Sequence, residues 1–225
     1  MTEKSSSSVS QPTPRWERWK RASRRIRVPL GFFAAAVYLF ELWRRAPQPR
    51  AIAWSLALVL PGLWLRAYAS GYIKKNRELT VTGPYAYTRN PLYLGSVLIA
   101  AGFAVALMSW PMALVLTCGF AFIYIPVIAS EEQYLRNNFA GFDDYCGRVP
   151  RLVPRLLPRL TAARVARPQE DTSGAAQPDQ RSKAGFSSQL YLKHREYNAA
   201  IGAALLYLSL LFLRPVLAAI FHKSP

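Results

Sequence analysis

The stretch at residues 92–128, LYLGSVLIAAGFAVALMSWPMALVLTCGFAFIYIPVI, decides the fold of this 225-residue chain. It holds two apolar segments, Leu92–Met108 and Trp110–Ile128, which only Ser109 separates, and Pro111 follows the break directly. An apolar segment of roughly 17–25 residues is long enough to cross a bilayer as a helix. The stretch therefore predicts a tight hairpin of two membrane helices, whose outer ends return to the same side of the membrane.

Three further apolar segments complete the predicted bundle. They are Val28–Trp43, which is only marginally long enough, Ala51–Ile73 and Tyr197–Phe221. The chain is 52% hydrophobic yet has a formal net charge of +17, a combination that conflicts with a soluble protein but suits a membrane protein with basic loops. We therefore predict an all-α, polytopic integral membrane protein with about five transmembrane helices.

The positions of the basic residues orient the predicted spans. Residues 1–27 form a basic arm, with no small-residue cleavage site of the kind that ends a secretory signal. Because Lys and Arg are concentrated in cytoplasmic loops, this arm predicts a cytoplasmic N-terminus and a C-terminus on the opposite side. The loop RRAPQPR runs against the rule, but the other loops outweigh it. The membrane is then either a cell inner membrane or the endoplasmic reticulum membrane.

Composition divides the chain into four parts. The basic arm (1–27) precedes a four-span membrane core (28–158), a polar linker that is predicted to be flexible (159–189), and the fifth helix with the C-terminus (190–225). The repeat VPRLVPRLLPRL, residues 149–160, is interpreted either as a basic strip on anionic lipid headgroups or as a solvated connector. The small-residue face around Gly202 predicts that the fifth helix packs on the core or on a second copy of the chain, with a simple membrane anchor as the alternative.

The sequence offers little material for metal or histidine chemistry. Cys118 lies in an apolar run and Cys146 in a basic one, so we predict no disulfide. Two cysteines and two histidines, His194 and His222, are too few for structural zinc. We accordingly predict no metal site, and no nucleic-acid partner.

Three features meet at the open end of the hairpin. The segment GPYAYTRNP, residues 83–91, combines Gly-Pro and Asn-Pro, which both force non-helical backbone. Gly95 removes a side chain where another backbone or a ligand approaches closely. Glu131 and Glu132 follow the second helix, so the hairpin returns them to the level of Arg89. Taken singly, each feature has a plain structural explanation, such as helix packing, an aromatic belt or a solvated helix end.

The combination points to a binding site for a zwitterion. An arginine can hold the carboxylate of an amino acid, while a glutamate holds its ammonium group. Tyrosine rings can attract a sulfonium or stack on a flat base. A pocket at this level would open to water for one ligand and to lipid for another.

The same residues resemble those of a known superfamily. GPYAYTRNPLYLGS, the hairpin and EEQYLRNNFAGFDDYCGRVPRLVP, over roughly residues 71–158, are similar to the isoprenylcysteine carboxyl methyltransferase and phospholipid methyltransferase superfamily. The resemblance implies an integral-membrane methyltransferase that uses S-adenosylmethionine, with its active site at the cytoplasmic face. It implies cofactor contacts from Tyr85, Arg89, Asn90, Tyr93, Leu94, Gly95, Glu131 and Glu132, catalytic roles for Arg89, Glu132 and Arg148, and substrate contacts from Tyr145 and Arg148.

Two departures from the superfamily pattern stand out. Asn90 occupies the position where the superfamily usually has histidine, and an amide can hydrogen-bond but cannot carry a proton or a charge. The usual Phe-Gly appears here as Phe139-Ala140-Gly141-Phe142. The expected reaction is methylation of a lipophilic acceptor from the membrane leaflet, with an isoprenylcysteine-type carboxylate favoured. Ethanolamine phospholipids and lipophilic thiols remain alternative acceptors, and a non-catalytic scaffold or an NADPH-dependent membrane reductase remain alternative functions.

Overall fold

The computed structural model describes residues 15–73, 79–155 and 186–221, and these residues form helices and loops without a β-strand. The helices are α1 (Arg15–Arg44), α2 (Pro49–Ser70), α3 (Pro91–Leu107), α4 (Trp110–Asn138), α5 (Phe142–Arg148), α6 (Ser188–Lys193) and α7 (Tyr197–Phe221), with a 3-10 helix at Gly83–Ala86. The all-α prediction is confirmed for these ranges. Most of the predicted linker and the first part of the basic arm lie outside the described residues.

Two of the described helices, α2 and α4, are long and apolar enough to cross a membrane. Shorter apolar helices span Pro91–Leu107 and Tyr197–Leu213. The predicted count of five spans therefore stays a prediction. The predicted boundary between arm and core at residue 27 falls inside α1, a single helix of 30 residues that joins basic and apolar sequence.

The predicted hairpin of α3 and α4 is present. Met108 ends α3 in a left-handed conformation, with φ 46°, and the Ser109 side chain accepts a hydrogen bond from the backbone N–H of Met112 in the first turn of α4. Because α4 has 29 residues, it is longer than the roughly 20 residues that cross a bilayer. Its last turns, which include Glu131 and Glu132, therefore extend past the level at which α3 begins.

Glycines allow α2 and α3 to touch along their backbones. A Cβ atom on Gly62 would lie 2.8 Å from the carbonyl oxygen of Gly95, and a Cβ atom on Gly95 would lie 2.7 Å from the carbonyl oxygen of Gly62. This contact fixes the start of α3, from which the site residues project. It also matches the prediction that another backbone approaches Gly95 closely.

The C-terminal helix α7 packs on the core of the same chain. Tyr207 and Ser55 hydroxyls are 2.8 Å apart, and those of Ser209 and Tyr38 are 2.5 Å apart. Ala203 and Leu210 are buried in the cluster that includes Val59 and Phe103 of α2 and α3. Of the two predicted partners of this helix, the structure shows the core. Association with a second copy stays a prediction.

An ion pair and a backbone hydrogen bond hold the start of this C-terminal region. Glu196 accepts hydrogen bonds from Nε and Nη2 of Arg66 at 3.1 and 2.7 Å, close to the start of α7. The backbone N–H of Ser187, just before α6, donates to the carbonyl of Gly71 at 2.9 Å. The last residues of the predicted linker are thus joined to the end of α2, and the start of α7 is joined to the bundle core.

Candidate active site

The loop before α3 owes its shape to glycine and proline. Gly83 has φ 61°, and a Cβ atom there would lie 2.6 Å from the Tyr72 ring, so both the conformation and the space require glycine. Pro84 is the second residue of the 3-10 helix and Pro91 is the first residue of α3, positions at which a missing N–H costs nothing. The loop therefore ends in Arg89 and Asn90 at the mouth of the α3–α4 hairpin.

A second segment, residues 150–155, lies along this loop, and we call it the strap. The backbone N–H of Arg89 donates to the carbonyl of Pro150 at 2.9 Å, and the backbone N–H of Arg155 donates to the carbonyl of Tyr87 at 3.0 Å. The Asn90 amide Nδ2 donates to the carbonyl of Arg151 at 2.9 Å. These bonds join the strap to the loop. Contact of the strap with anionic lipid headgroups stays a prediction. Residues 156–160 of the repeat lie outside the described residues.

The carboxylate of Glu132 is the centre of the site. Arg89 Nη1 lies 3.2 Å from its Oε1, and Arg151 donates from Nε to Oε1 at 3.0 Å and from Nη2 to Oε2 at 2.5 Å. Glu132 is 6% exposed, and acidic side chains are seldom so buried without a charged partner. Two guanidinium groups facing one carboxylate leave a net positive charge, because only one of them is neutralised.

The neighbouring acid has a different partner. The Glu131 carboxylate accepts a hydrogen bond from the Tyr93 hydroxyl. The Tyr93 ring in turn meets the Tyr124 ring edge-to-face, with centroids 5.0 Å apart. The two glutamates therefore occupy different environments: Glu132 is paired with arginines, and Glu131 is paired with a phenol on α3.

A cavity of about 380 Å³ opens beside these groups, within the size range of pockets for small molecules. Its walls combine the charged cluster with aromatic and aliphatic side chains: Ile73, Leu79, Thr80, Tyr85, Arg89, Asn90, Pro91, Leu92, Tyr93, Ser130, Glu131, Glu132, Tyr134, Leu135, Phe139, Phe142 and Tyr145. The Tyr85 hydroxyl and Arg89 Nε are both buried without a hydrogen-bond partner in the described residues. Buried donors left unpaired are costly, so a ligand that accepts from them would stabilise the site.

Two tyrosines of the cavity, Tyr85 and Tyr145, keep their protons. Burial raises the pKa of Tyr85. Burial also raises the pKa of Tyr145, against a smaller lowering by the charge of Arg89. The Tyr145 hydroxyl donates to the backbone carbonyl of Tyr85 at 2.7 Å. Tyr145 thus holds the loop in place, and Tyr85, which lines the cavity, is left with a hydroxyl donor that has no partner among the described residues.

Most of the predicted site residues line this cavity. Seven of them do so: Tyr85, Arg89, Asn90, Tyr93, Glu131, Glu132 and Tyr145. Leu94, Gly95 and Arg148 are not among its walls. Gly95 faces α2, and Arg148 Nε donates to the backbone carbonyl of Asp144 on its own helix at 3.2 Å. The predicted roles of these three residues in ligand contact stay predictions.

Arg151 is the site residue that the sequence reasoning missed. The Pro-Arg-Leu repeat contains it, but its three arginines look alike in the sequence. The distinguishing signal was position, because Arg151 comes three residues after the end of α5 and therefore remains close to Glu132. Cys146 was also overlooked as a neighbour of the charged cluster, and its Sγ lies 2.7 Å from Arg89 Nη1. Within the described ranges, no group of three or more His, Cys, Asp or Glu side chains could hold a metal ion.

Comparison with known proteins finds similarity over the segment that contains α3 and α4. Residues 53–141 match the profile of the phospholipid methyltransferase family. The chain is 42% identical over 88 residues to the nickel-cobalt-cadmium resistance protein NccN of Alcaligenes xylosoxydans xylosoxydans. It is 37% identical over 88 residues to the cobalt-zinc-cadmium resistance protein CzcN of Cupriavidus metallidurans. Each alignment covers 39% of this chain and 40% of the relative. No solved structure is significantly similar to the chain.

Proposed function

We propose that the chain transfers a methyl group from S-adenosylmethionine to a lipophilic acceptor, because residues 53–141 match the phospholipid methyltransferase family, within the superfamily of membrane methyltransferases that the motifs indicated. The observation that carries the proposal is the meeting of Arg89 and Glu132 at 3.2 Å beside a cavity with two unpaired buried donors. Arg89 precedes α3 and Glu132 lies in the last turns of α4, so the hairpin brings them together at its open end. Their meeting is what the methyltransferase interpretation requires.

The residues of the cavity fit the methyl donor. The ligand has a carboxylate, an ammonium group, a sulfonium and a flat base. Arg89 Nε and the Tyr85 hydroxyl are donors for its carboxylate, and Glu132 is an acceptor for its ammonium group. Tyr93, Tyr134 and Phe139 provide aromatic faces for the sulfonium or the base. When bound, S-adenosylmethionine supplies an electrophilic methyl group.

The protein's part in the reaction is then positioning and exclusion of water. A buried cluster of Leu79, Phe139, Phe142, Tyr145 and Val149 closes one side of the cavity. Holding two reactants in line removes much of the entropic barrier of methyl transfer. A water-poor site also strengthens the electrostatic contacts of Arg89 and Glu132.

Glu131 and Glu132 already have partners, which makes each a poor base. This favours an acceptor that needs no base, such as a carboxylate. An amine has to lose a proton before it can attack, and this needs a base. Glu132 is bound by two arginines, and Glu131 accepts from Tyr93. A carboxylate is already ionised and needs no base. We therefore favour an isoprenylcysteine-type carboxylate over an ethanolamine headgroup, and place the reaction at the cytoplasmic face on the basis of the charged loops.

Binding of radiolabelled S-adenosylmethionine to detergent-purified protein tests the proposal. Arg89→Ala removes an unpaired donor and a charge, so we expect affinity to fall about 30- to 100-fold, as for the loss of charged hydrogen bonds. Arg155→Ala is the matched control, because this arginine is exposed and contacts the loop only through its backbone. We expect that variant to bind as the wild type does.

The same assay separates the alternatives. Folded wild-type protein that binds NADPH and not S-adenosylmethionine would establish the reductase interpretation. Folded protein that binds neither would leave the scaffold interpretation. Circular dichroism and gel filtration of each variant establish that lost binding is not lost folding.

A further inference from the structure

A second cavity lies inside the helix bundle. It has a volume of about 520 Å³ and lies between α1, α3, α4 and α7, with Arg66 of α2 at its edge. Small residues make up much of its wall: Ala34, Ala35, Ala100, Ala199, Gly202 and Ala203. Small residues in membrane helices usually let helices touch. Here a Cβ atom on Gly202 would meet nothing within 4 Å, so the missing side chain leaves space instead of a contact.

The chemistry of the wall excludes an ionic ligand. Arg66 is the charged residue of the wall, and its Nε and Nη2 bind Glu196 while its Nη1 donates to Ser96 and to the carbonyl of Leu92. The Tyr38 hydroxyl is paired with Ser209. Charged and hydroxyl groups that are already paired offer little to an ion, or to water, which needs two or more polar partners in a cavity. The rest of the wall is aliphatic and aromatic, and it suits a hydrocarbon.

The second cavity shares a wall with the candidate active site. Tyr93 lines the active-site cavity, Tyr124 lines the second cavity, and their rings are in edge-to-face contact. Tyr124 also stacks on Phe120, with centroids 4.0 Å apart, so this wall is formed by a small set of rings. A long acceptor with its chain in the second cavity and its head beside the methyl donor would lie on both sides of these rings.

We propose that the second cavity binds the alkyl or prenyl chain of the methyl acceptor, and that Gly202 on α7 sets the length of chain that it accepts. This rests on the proposed methyltransferase function. The walls from α1 and α7 lie outside the segment that matches the family, which spans residues 53–141. The chain specificity is accordingly a property of this protein and not of the shared segment.

Photolabelling with alkyl diazirines tests the chain site without requiring catalysis. We expect a palmitoyl-length probe to label α7 near Gly202 and α4 near Phe120 and Tyr124, as located by mass spectrometry of peptides. Gly202→Leu fills the space, and we expect it to reduce this labelling at least tenfold, as an overpacked site would. An octyl-length probe should lose less labelling, because it leaves room for the leucine.

Gly31→Leu is the matched control. Gly31 is on α1, is exposed, and would also place its Cβ in open space, but it is not part of the cavity wall. Both changes replace glycine by a better helix former, so neither should unfold the protein. Equal labelling of the two variants, or labelling confined to the outward-facing Phe32 and Phe33, would overturn the chain site.

A methylation assay with prenylated and alkylated carboxylates then assigns the chain. For long-chain acceptors we expect Gly202→Leu to raise KM and to leave binding of S-adenosylmethionine unchanged. An unchanged KM would overturn the assignment of the chain to the acceptor. Failure of the wild type to bind S-adenosylmethionine is a different result: it rejects the methyltransferase function, while the photolabelling still decides whether a hydrocarbon chain occupies the cavity.

Discussion

Two carboxylate–arginine clusters in this molecule use the same chemistry for different ends. In both, an arginine donates through two nitrogens to a glutamate that is far away in sequence: Arg151 to Glu132 at the candidate active site, and Arg66 to Glu196 between α2 and α7. The Arg66 cluster has one cation for one anion, and Nη1 of Arg66 is bound as well. It has the character of a structural contact.

The Glu132 cluster differs in what it leaves unsatisfied. It has two cations for one anion, and Arg89 Nε and the Tyr85 hydroxyl are buried without a partner in the part of the chain that the structure describes. Native proteins satisfy nearly all buried polar groups, so exceptions call for an explanation. The comparison teaches that an ion pair in a membrane bundle does not by itself indicate function. At the Glu132 cluster the unpaired donors belong to residues that line a cavity, and that combination points to a ligand.

Exchanging the two glutamates for glutamine should give opposite results, and this is the largest effect that we expect. Glu132→Gln leaves two arginines facing a neutral amide, so binding of S-adenosylmethionine should fall about 100-fold. Glu196→Gln should leave that binding within a few fold. Its cost should be in folding, at about 1–3 kcal/mol, below the roughly 3–5 kcal/mol of fully buried pairs because both side chains are partly exposed.

The measurements are binding by scintillation proximity and unfolding in a mild detergent. If the Glu132→Gln variant binds S-adenosylmethionine normally, then the Glu132 cluster is structural, like the Arg66 cluster. Glu196→Gln that loses binding without loss of stability would show that α7 takes part in the active site directly.

The next prediction concerns Gly95, which lies between the two regions. Gly95→Leu places a side chain where the carbonyl oxygen of Gly62 is 2.7 Å from an ideal Cβ, so α3 has to move away from α2. Overpacking of this kind costs typically about 1–3 kcal/mol. Because Asn90 and Tyr93 are at the start of α3, we expect S-adenosylmethionine binding to weaken along with stability. Gly31→Leu, on an open helix face, should change neither, and equal melting temperatures for the two variants would contradict the close contact.

Much of this arrangement could be predicted from the sequence. The hairpin follows from two apolar segments around Ser109, and it is sufficient to bring Glu132 to Arg89. The motif residues of the loop, Tyr85 to Tyr93, are local in sequence and were found together. Their backbone requirements, such as those of Gly83 and Pro91, are written in the residue types.

The remainder depends on contacts that no local pattern encodes. Arg151 resembles the other arginines of its repeat, and only the strap's backbone hydrogen bonds to residues 87–90 bring its side chain to Glu132. The motif predicts a cofactor contact for Gly95, and the structure places the backbone of α2 beside it. The motif predicts a catalytic role for Arg148, whose Nε donates to its own helix. Both roles stay predictions.

A moderate effect is expected at Arg151. Arg151→Ala removes one of the two cations on Glu132, yet Arg89 still neutralises the carboxylate. The side chain is 56% exposed, so water screens part of the lost interaction. We expect activity to fall about tenfold through a higher KM for S-adenosylmethionine. Arg151→Lys should recover part of the activity, because it restores the charge but not the planar guanidinium that donates two hydrogen bonds to one carboxylate.

The control for Arg151 is Arg155→Ala, four residues along the same strap. Equal effects of the two alanine variants would show that the net charge of the strap matters and not the contact with Glu132. A fall in kcat at constant KM would instead place Arg151 in the chemical step.

The smallest effect should come from Tyr145→Phe, which removes the hydroxyl that donates to the carbonyl of Tyr85 at 2.7 Å. One neutral hydrogen bond contributes about 1 kcal/mol, and the Tyr145 ring remains in its buried cluster, so unfolding should become easier by about that amount. Burial raises the pKa of Tyr145 above that of the unfolded chain, so the contribution is complete below about pH 10 and is lost as the pH rises further. The difference in unfolding free energy between Tyr145→Phe and the wild type should therefore be constant from pH 7 to about pH 9.5 and shrink in more alkaline solution. A difference that changes near neutral pH would mean that the hydroxyl titrates there, and that Tyr145 belongs to the reacting groups of the site and not to its support.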